Sequence, residues 1–263
     1  MKGMEGLKQW FLIVAFTVPR MMAALTISPF FGPQFIQGLA RQVVTIALIF
    51  TVIPIVKTSA EVVGPGTPSL FLMGVLVKEV CIGVLLGFAS GGVFWIIQGA
   101  GFFIDNQRGS SMAEMFDPMS GESSSPFGLL FSRVIGVLFF IGGGFQAFLT
   151  VMYDSYSIWP VFTYFPDMKS TFPDTCLHLI DAMMTLIVVY AAPLIIAMFI
   201  AEFGLGLMNR FSPQLNVFFL AMPVKGGIAS LMIILYLGIL VTYAQRHYAT
   251  ESSILEFYHG LFK

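Results

Sequence analysis

The chain has 263 residues, of which 57% are hydrophobic and only 10% are charged, and its formal net charge is −1. Because an ordinary soluble domain carries about 25% charged residues, this composition excludes a typical soluble domain and favours a membrane protein. A net charge so close to zero gives no bulk attraction to nucleic acid, so no nucleic-acid partner is expected.

The first apolar run follows a short polar N-terminus that contains Lys2 and Lys8. This arrangement is similar to that of a signal peptide. However, Pro19 and Arg20 interrupt the run, and no small-residue cleavage site follows it. We therefore interpret the run as a retained first membrane segment.

Six stretches approach the length of about 20 apolar residues that a helix needs to cross about 30 Å of hydrocarbon. They are residues 10–31, 42–60, 70–98, 127–152, 177–203 and 215–244. The segments between them contain the Gly, Pro, Asp and Ser residues that are typical of turns. The sequence therefore predicts an all-α membrane protein with about six long apolar helical segments in hairpins. The distribution of Lys and Arg between the two sides favours cytoplasmic termini.

Ionisable residues lie within these segments or at their ends, although a charge at the bilayer centre costs about 2.5–3.5 kcal/mol on insertion scales. They are Arg20, Lys78, Glu79, Arg133, Asp181, Glu202 and Lys225. Two explanations stay open: the helices enclose a wet path, or many of them face other protein subunits. Glu202 and Lys225 either pair with each other across a hairpin or contact another subunit, and a proton relay through them is a further alternative.

Three glycines of the third segment, Gly83, Gly87 and Gly91, recur every four residues and therefore share one helix face. Small residues at this spacing allow the backbone of another helix to approach closely. That helix belongs either to the same chain or to a partner subunit.

The stretch from 101 to 126 combines mixed charge with apolar bulk at Met112, Met115 and Phe116. Asp117-Pro118 is typical of a turn, so the chain is expected to reverse there. About 25 residues between membrane segments exceed what a connector needs. The residues alone leave two interpretations: a re-entrant or pore-lining loop, and a plain extramembrane loop.

No catalytic or metal-binding pattern stands out. Cys81 and Cys176 are far apart, the histidines form no ligand cluster, and no HExxH or nucleophile–base pair lies in the apolar segments. We expect no enzyme activity, no metal and no cofactor. A secondary transporter or ion channel for small solutes is the alternative function, although such proteins usually show internal repeats and none is visible here.

Two long motifs identify a family. The run IDNQRGSSMAEMFDP at 104–118, continuing through SGESSSPFGLLFSR to YDSYSIWPV at 153–161, resembles the T subunit of the type III secretion export apparatus, the SctT family. NRFSPQLNVFFLAMPVK at 209–225 matches the second signature of that family. The flagellar export protein FliR shares the outline of both motifs. The Ser-rich stretch after Pro118 is more similar to the injectisome branch than to the flagellar branch.

The resemblance implies a multi-pass inner-membrane subunit of the export gate, at the centre of the needle-complex base of a virulence or symbiosis system. One T subunit would complete a ring with about five R and four S subunits. It would work with the switch subunit U, the export subunit V and inner rod or needle components, and secreted polypeptides would be its cargo. Within the single chain of residues 1–263, residues 1 to about 170 would be R-like. Residues 177–244 would form an S-like hairpin, and 245–263 a polar tail.

The same resemblance implies a plug that closes the channel before secretion. Its residues would be Met112, Met115, Phe116, Asp117 and Pro118. Flexible, polarizable Met side chains suit a seal that must yield to a passing polypeptide. Asp117 and Pro118 would shape the turn.

Overall fold

The computed structural model describes residues 2–32, 36, 38–57, 68–109, 125–163, 172–211 and 217–249. Every regular element in these ranges is helical. We number the α-helices in chain order as α1 (Lys2–Ile27), α2 (Gly38–Lys57), α3 (Ser69–Arg108), α4 (Pro126–Ile141), α5 (Gly144–Ile158), α6 (Phe172–Phe211) and α7 (Val217–Ala249). A single 3-10 turn, Pro29–Phe31, follows α1.

Local sequence explains where several helices begin and end. Ser125 is the N-cap of α4, its hydroxyl accepts a hydrogen bond from the Gly128 amide, and Pro126 occupies the first turn. The predicted fourth segment is broken into α4 and α5 at Gly142 and Gly143. Gly143 has φ +79°, a left-handed conformation that glycine adopts at little cost.

The class predicted from the sequence, an all-α membrane protein, is confirmed. Three helices among the described residues are long and apolar enough to cross a membrane, and a fourth span is added if α4 and α5 together form one. The two N-terminal helices contain shorter apolar stretches, Leu12–Ile27 and Gly38–Pro54. Among the described residues, four of the six predicted segments therefore reach spanning length. One of these four, the segment predicted at 127–152, does so only if α4 and α5 together count as one bent span.

The helices divide into two compact units that do not follow the order of the chain. The described residues of the first unit fall within 1–92 and 143–177, and those of the second within 93–142 and 178–249. Aromatic residues form much of both cores. In the first unit the rings of Phe30 and Phe148 meet edge to face at 5.0 Å, and in the second the rings of Phe94 and Phe139 do so at 5.2 Å.

Candidate functional site

Three of the predicted intramembrane charges meet in the interior of the first unit. The side chains of Arg20 in α1 and Glu79 in α3 are completely buried, and that of Lys78 is 3% exposed. Burying charge is costly unless each group finds partners. The contacts of these three residues therefore show what the cluster does.

Arg20 uses its full hydrogen-bonding capacity. Nε and Nη2 donate to the two carboxylate oxygens of Glu79 at 2.7 and 2.8 Å, in a bidentate pair. Nη1 donates to the Ser155 carbonyl at 2.8 Å and to its hydroxyl at 3.2 Å, and Nη2 also donates to the Trp159 carbonyl at 2.9 Å. These five hydrogen bonds match the five N–H donors of a guanidinium.

Lys78 binds the chain directly after α5. Its Nζ donates to the carbonyls of Pro160, Val161 and Thr163 at 3.1, 2.8 and 3.0 Å, and lies 3.1 Å from Oε1 of Glu79. Carbonyl groups at the end of a helix lack partners within the helix and carry partial negative charge. The two buried cations supply hydrogen bonds and charge to the C-terminal end of α5 and the turn that follows it.

Tyr156 completes the cluster. Its ring lies under the Arg20 guanidinium, with 4.3 Å from Cζ to the ring centroid, and its hydroxyl donates to the Thr17 carbonyl at 2.9 Å. The ring therefore stacks on the cation while the hydroxyl holds α1. The arrangement joins α1, α3 and the end of α5, and Glu79 is already occupied by two cations. Its chemistry is that of a structural anchor.

The glycine face of α3 packs directly beside this cluster. A Cβ at Gly83 would collide with the backbone oxygen of Arg20, and a Cβ at Gly87 would lie 2.5 Å from the backbone oxygen of Ala24. The glycine spacing left open whether the closely packed helix belongs to the same chain or to a partner subunit. For Gly83 and Gly87 it is α1 of the same chain. Gly91 is buried on the same helix.

In the second unit, hydrogen bonds to Asp105 link the C-terminal end of α3 to the N-terminal end of α4. Its Oδ2 accepts hydrogen bonds from the Ser125 hydroxyl and the Phe127 amide, both at 2.8 Å. A carboxylate at this position also interacts favourably with the N-terminal dipole of α4. Oδ1 lies 2.9 Å from Nη2 of Arg108, whose guanidinium stacks over the Phe127 ring. The two chain ends that flank residues 110–124 are thereby held together.

The predicted plug residues Met112, Met115, Phe116, Asp117 and Pro118 lie outside the described residues. Asp105 and Arg108, which the sequence places in the polar loop, belong instead to the last turns of α3. The loop is therefore shorter than the hydropathy pattern suggests, because the helix continues beyond its most apolar part.

Glu202 in α6 and Lys225 in α7 form the pair that was one alternative from the sequence, with 3.1 Å between Oε2 and Nζ. The side chain of Glu202 is 45% exposed, so this pair is much less buried than the Arg20–Glu79 pair. Arg133 in α4 and Asp181 in α6 are exposed, and neither has an ion-pair partner among the residues that the structure describes.

Sequence reasoning did not identify Ser155, Tyr156 and Trp159 as partners of the buried charges. The run YDSYSIWPV contains the available signal: hydroxyl-bearing residues at the end of an apolar segment, followed by a proline that ends the helix. Asp105 was likewise seen only as part of a loop with mixed charge. Its role depends on Ser125, which is twenty residues away along the chain.

Comparison with known proteins gives consistent matches. The family model described as bacterial export proteins, family 1, matches residues 11–250. Yop proteins translocation protein T of Yersinia pestis is 38% identical over 230 residues, which cover 87% of each chain. Secretion system apparatus protein SsaT of Salmonella typhimurium is 33% identical over 253 residues, 94% of each chain. Flagellar biosynthetic protein FliR of Bacillus subtilis is 29% identical over 165 residues, 62% of this chain and 63% of that one.

Proposed function

Since this chain belongs to family 1 of the bacterial export proteins, we propose that it is the T subunit of a type III secretion export gate, the protein-conducting channel at the centre of a needle-complex base. The observation that carries the proposal is the identity of 38% to Yop proteins translocation protein T over 87% of both chains. The flagellar FliR proteins of Bacillus subtilis and Aquifex aeolicus are 29% and 26% identical to the chain, below the 38% of Yop proteins translocation protein T, which supports the injectisome branch.

In this proposal the subunit lies in the bacterial inner membrane and completes a ring with about five R and four S subunits. The switch subunit U, the export subunit V, and inner rod or needle components are its further partners. Secreted polypeptides are its cargo, and its role is structural and not enzymatic. Residues 1 to about 170 form the R-like part, 177–244 the S-like hairpin and 245–263 the polar tail.

The surfaces of the long helices support an assembly with partners. In the membrane-capable stretch of α3, 56% of the residues are buried, against 28% in α6 and 22% in α7. The exposed charge Arg133 is the one charged residue of α4, and the exposed Asp181 lies within the mainly apolar helix α6. Polar groups in membrane helices usually face protein or water and not lipid.

Co-expression tests this function. The full chain made alone in membranes is expected to be unstable after detergent extraction, because its exposed helix faces lack their partners. Co-expression with R and S subunits should yield one stable complex, with a native mass that fits a single copy of this chain. A monodisperse, thermally stable monomer that does not bind R and S subunits would contradict the proposal and favour a transporter or channel for small solutes.

The plug is the finer part of the proposal. Met112, Met115 and Phe116 close the channel before secretion, and Asp117 and Pro118 shape the turn that presents them. The Asp105 contacts with Ser125 and Phe127 support this role, because they hold both ends of the segment in place. Apolar bulk in a constriction excludes water and ions.

Replacing Met112, Met115 and Phe116 together by Ala is expected to make the assembled gate leak. Assembly should be retained, because a segment between membrane helices contributes little to the packing of those helices. Ion flux across membranes that contain the gate should rise about tenfold or more, since the hydrophobic barrier is removed. Wild-type flux from a fully assembled triple variant would show that the barrier lies elsewhere.

A further inference from the structure

Helix α4 exposes one continuous stripe of large side chains with a single charge in it. The stripe consists of Leu129, Leu130, Arg133, Val137, Phe140 and Ile141, all of which are exposed. At 3.6 residues per turn these positions span an arc of roughly 120°, and Arg133 lies near its middle. We call this surface the Arg133 stripe.

The opposite face of α4 is the one that packs inside the second unit. Its buried residues are Phe127, Gly128, Phe131, Ser132, Ile135, Gly136 and Phe139. Polar side chains do not separate the two faces, so both are suited to an apolar environment. The helix is therefore suited to be covered on both sides, and the residues that the structure describes bury only one of them.

Arg133 limits what can cover the stripe. It is the eighth of the 16 residues of α4, and apolar stripe residues flank it on both sides along the helix. A guanidinium keeps its charge in proteins and offers five N–H donors. Hydrocarbon supplies no acceptor for them, and long cationic side chains reach the headgroups most easily from helix ends and not from the middle.

We propose that the Arg133 stripe is the docking face for a membrane helix of a partner subunit that carries a carboxylate opposite Arg133. This inference rests on the proposed function, because it names a contact within that assembly. A carboxylate matches the planar fork of the guanidinium in a bidentate pair, as Glu79 does for Arg20 in the first unit. The flanking Leu130, Val137 and Ile141 provide the apolar contact that a helix needs on either side of that pair.

The test uses the full chain co-expressed with R and S subunits, with R133L as the principal variant and R210L as its matched control. Arg210 is also exposed but lies in the last turn of α6. Two quantities are measured: the amount of the chain in the membrane, and the amount recovered in the complex. Insertion of R133L should equal or exceed that of the wild type, because a charge has been removed from an apolar helix.

Recovery of R133L in the complex should fall about tenfold or more, since a partner carboxylate is left without its counter-charge. The recovery of R133K should fall less, because lysine keeps the positive charge but cannot form the bidentate pair that a guanidinium forms with a carboxylate. R210L should assemble at nearly the wild-type level. R133L that assembles as well as the wild type would show that lipid covers the stripe, and would overturn the inference.

Charge reversal identifies the partner. R133E should be rescued when one membrane carboxylate of a partner subunit is replaced by Arg, and failure of every such replacement would overturn the inference. Rescue by D181R in this same chain would show that the stripe contacts the chain itself or another copy, which also overturns it. If the wild-type chain does not assemble with R and S subunits at all, the proposed function fails, whereas an effect confined to Arg133 variants concerns this interface.

Discussion

Replacement of Glu79 by Ala is expected to destabilise the first unit strongly and to lower the yield of the folded chain. The substitution leaves Arg20 and Lys78 buried side by side without a counter-charge. Removal of one partner from a buried ion pair costs about 3–5 kcal/mol, and the total stability of a domain is about 5–15 kcal/mol. The measurement is the yield and thermal stability of the chain in its complex, with protease resistance of the first unit as a second readout.

The matched control is E202A, which also removes one carboxylate from an ion pair between two helices. Glu202 is 45% exposed and its partner Lys225 is 10% exposed, so solvent screens this pair more than the fully buried Arg20–Glu79 pair. E202A is therefore expected to lower the melting temperature of the complex clearly less than E79A does. Equal effects of E79A and E202A would show that the Arg20 cluster does not stabilise the first unit.

Replacement of Gly83 by Ala is expected to separate α1 from α3. The added methyl group would overlap with the Arg20 backbone oxygen and approach Ala23 Cβ to 2.9 Å. Backbone atoms cannot rotate away as a flexible side chain can, so α1 must move, and its movement pulls Arg20 from Glu79. Overpacking of this kind costs about 1–3 kcal/mol, and the strained ion pair adds to that cost.

Gly74 provides the control on the same helix, because a Cβ there would meet no atom of the described residues within 4 Å. Alanine is favoured over glycine in a helix by about 1 kcal/mol, so G74A should be neutral or stabilising while G83A is destabilising. The melting temperature of the G83A complex should therefore fall, whereas that of the G74A complex should rise or stay unchanged. A G83A complex as stable as G74A would contradict the close packing of α1 on α3.

The helical class could be predicted from composition and segment length, because hydrocarbon imposes both. Arg20, Lys78 and Glu79 could be recognised as charges in need of partners. The partners of these charges could not be predicted. Arg20 and Glu79 are 59 residues apart, and the two carbonyl groups that bind Arg20 lie 135 and 139 residues after it in the chain. Periodicity describes one helix at a time and does not show which helices meet.

Segment boundaries were the least predictable part of the fold. Hydropathy ends the third segment at residue 98, whereas α3 continues to Arg108. The last ten residues of α3 include Asp105, Asn106 and Gln107. Their polar side chains predict a loop, although the backbone there remains helical. The break between α4 and α5 had a visible cause in Gly142 and Gly143, but glycines also occur within unbroken helices such as α3.

The length of α3 has a mechanical consequence. Forty residues at 1.5 Å each give an axis of about 60 Å, twice the hydrocarbon thickness of about 30 Å. To fit wholly inside the hydrocarbon the helix would have to tilt by about 60°, whereas membrane helices tilt by up to about 40°, at which α3 would still extend about 46 Å along the membrane normal. About 16 Å of the helix must therefore lie beyond the hydrocarbon, where neighbouring protein is needed to shield its apolar side chains from water.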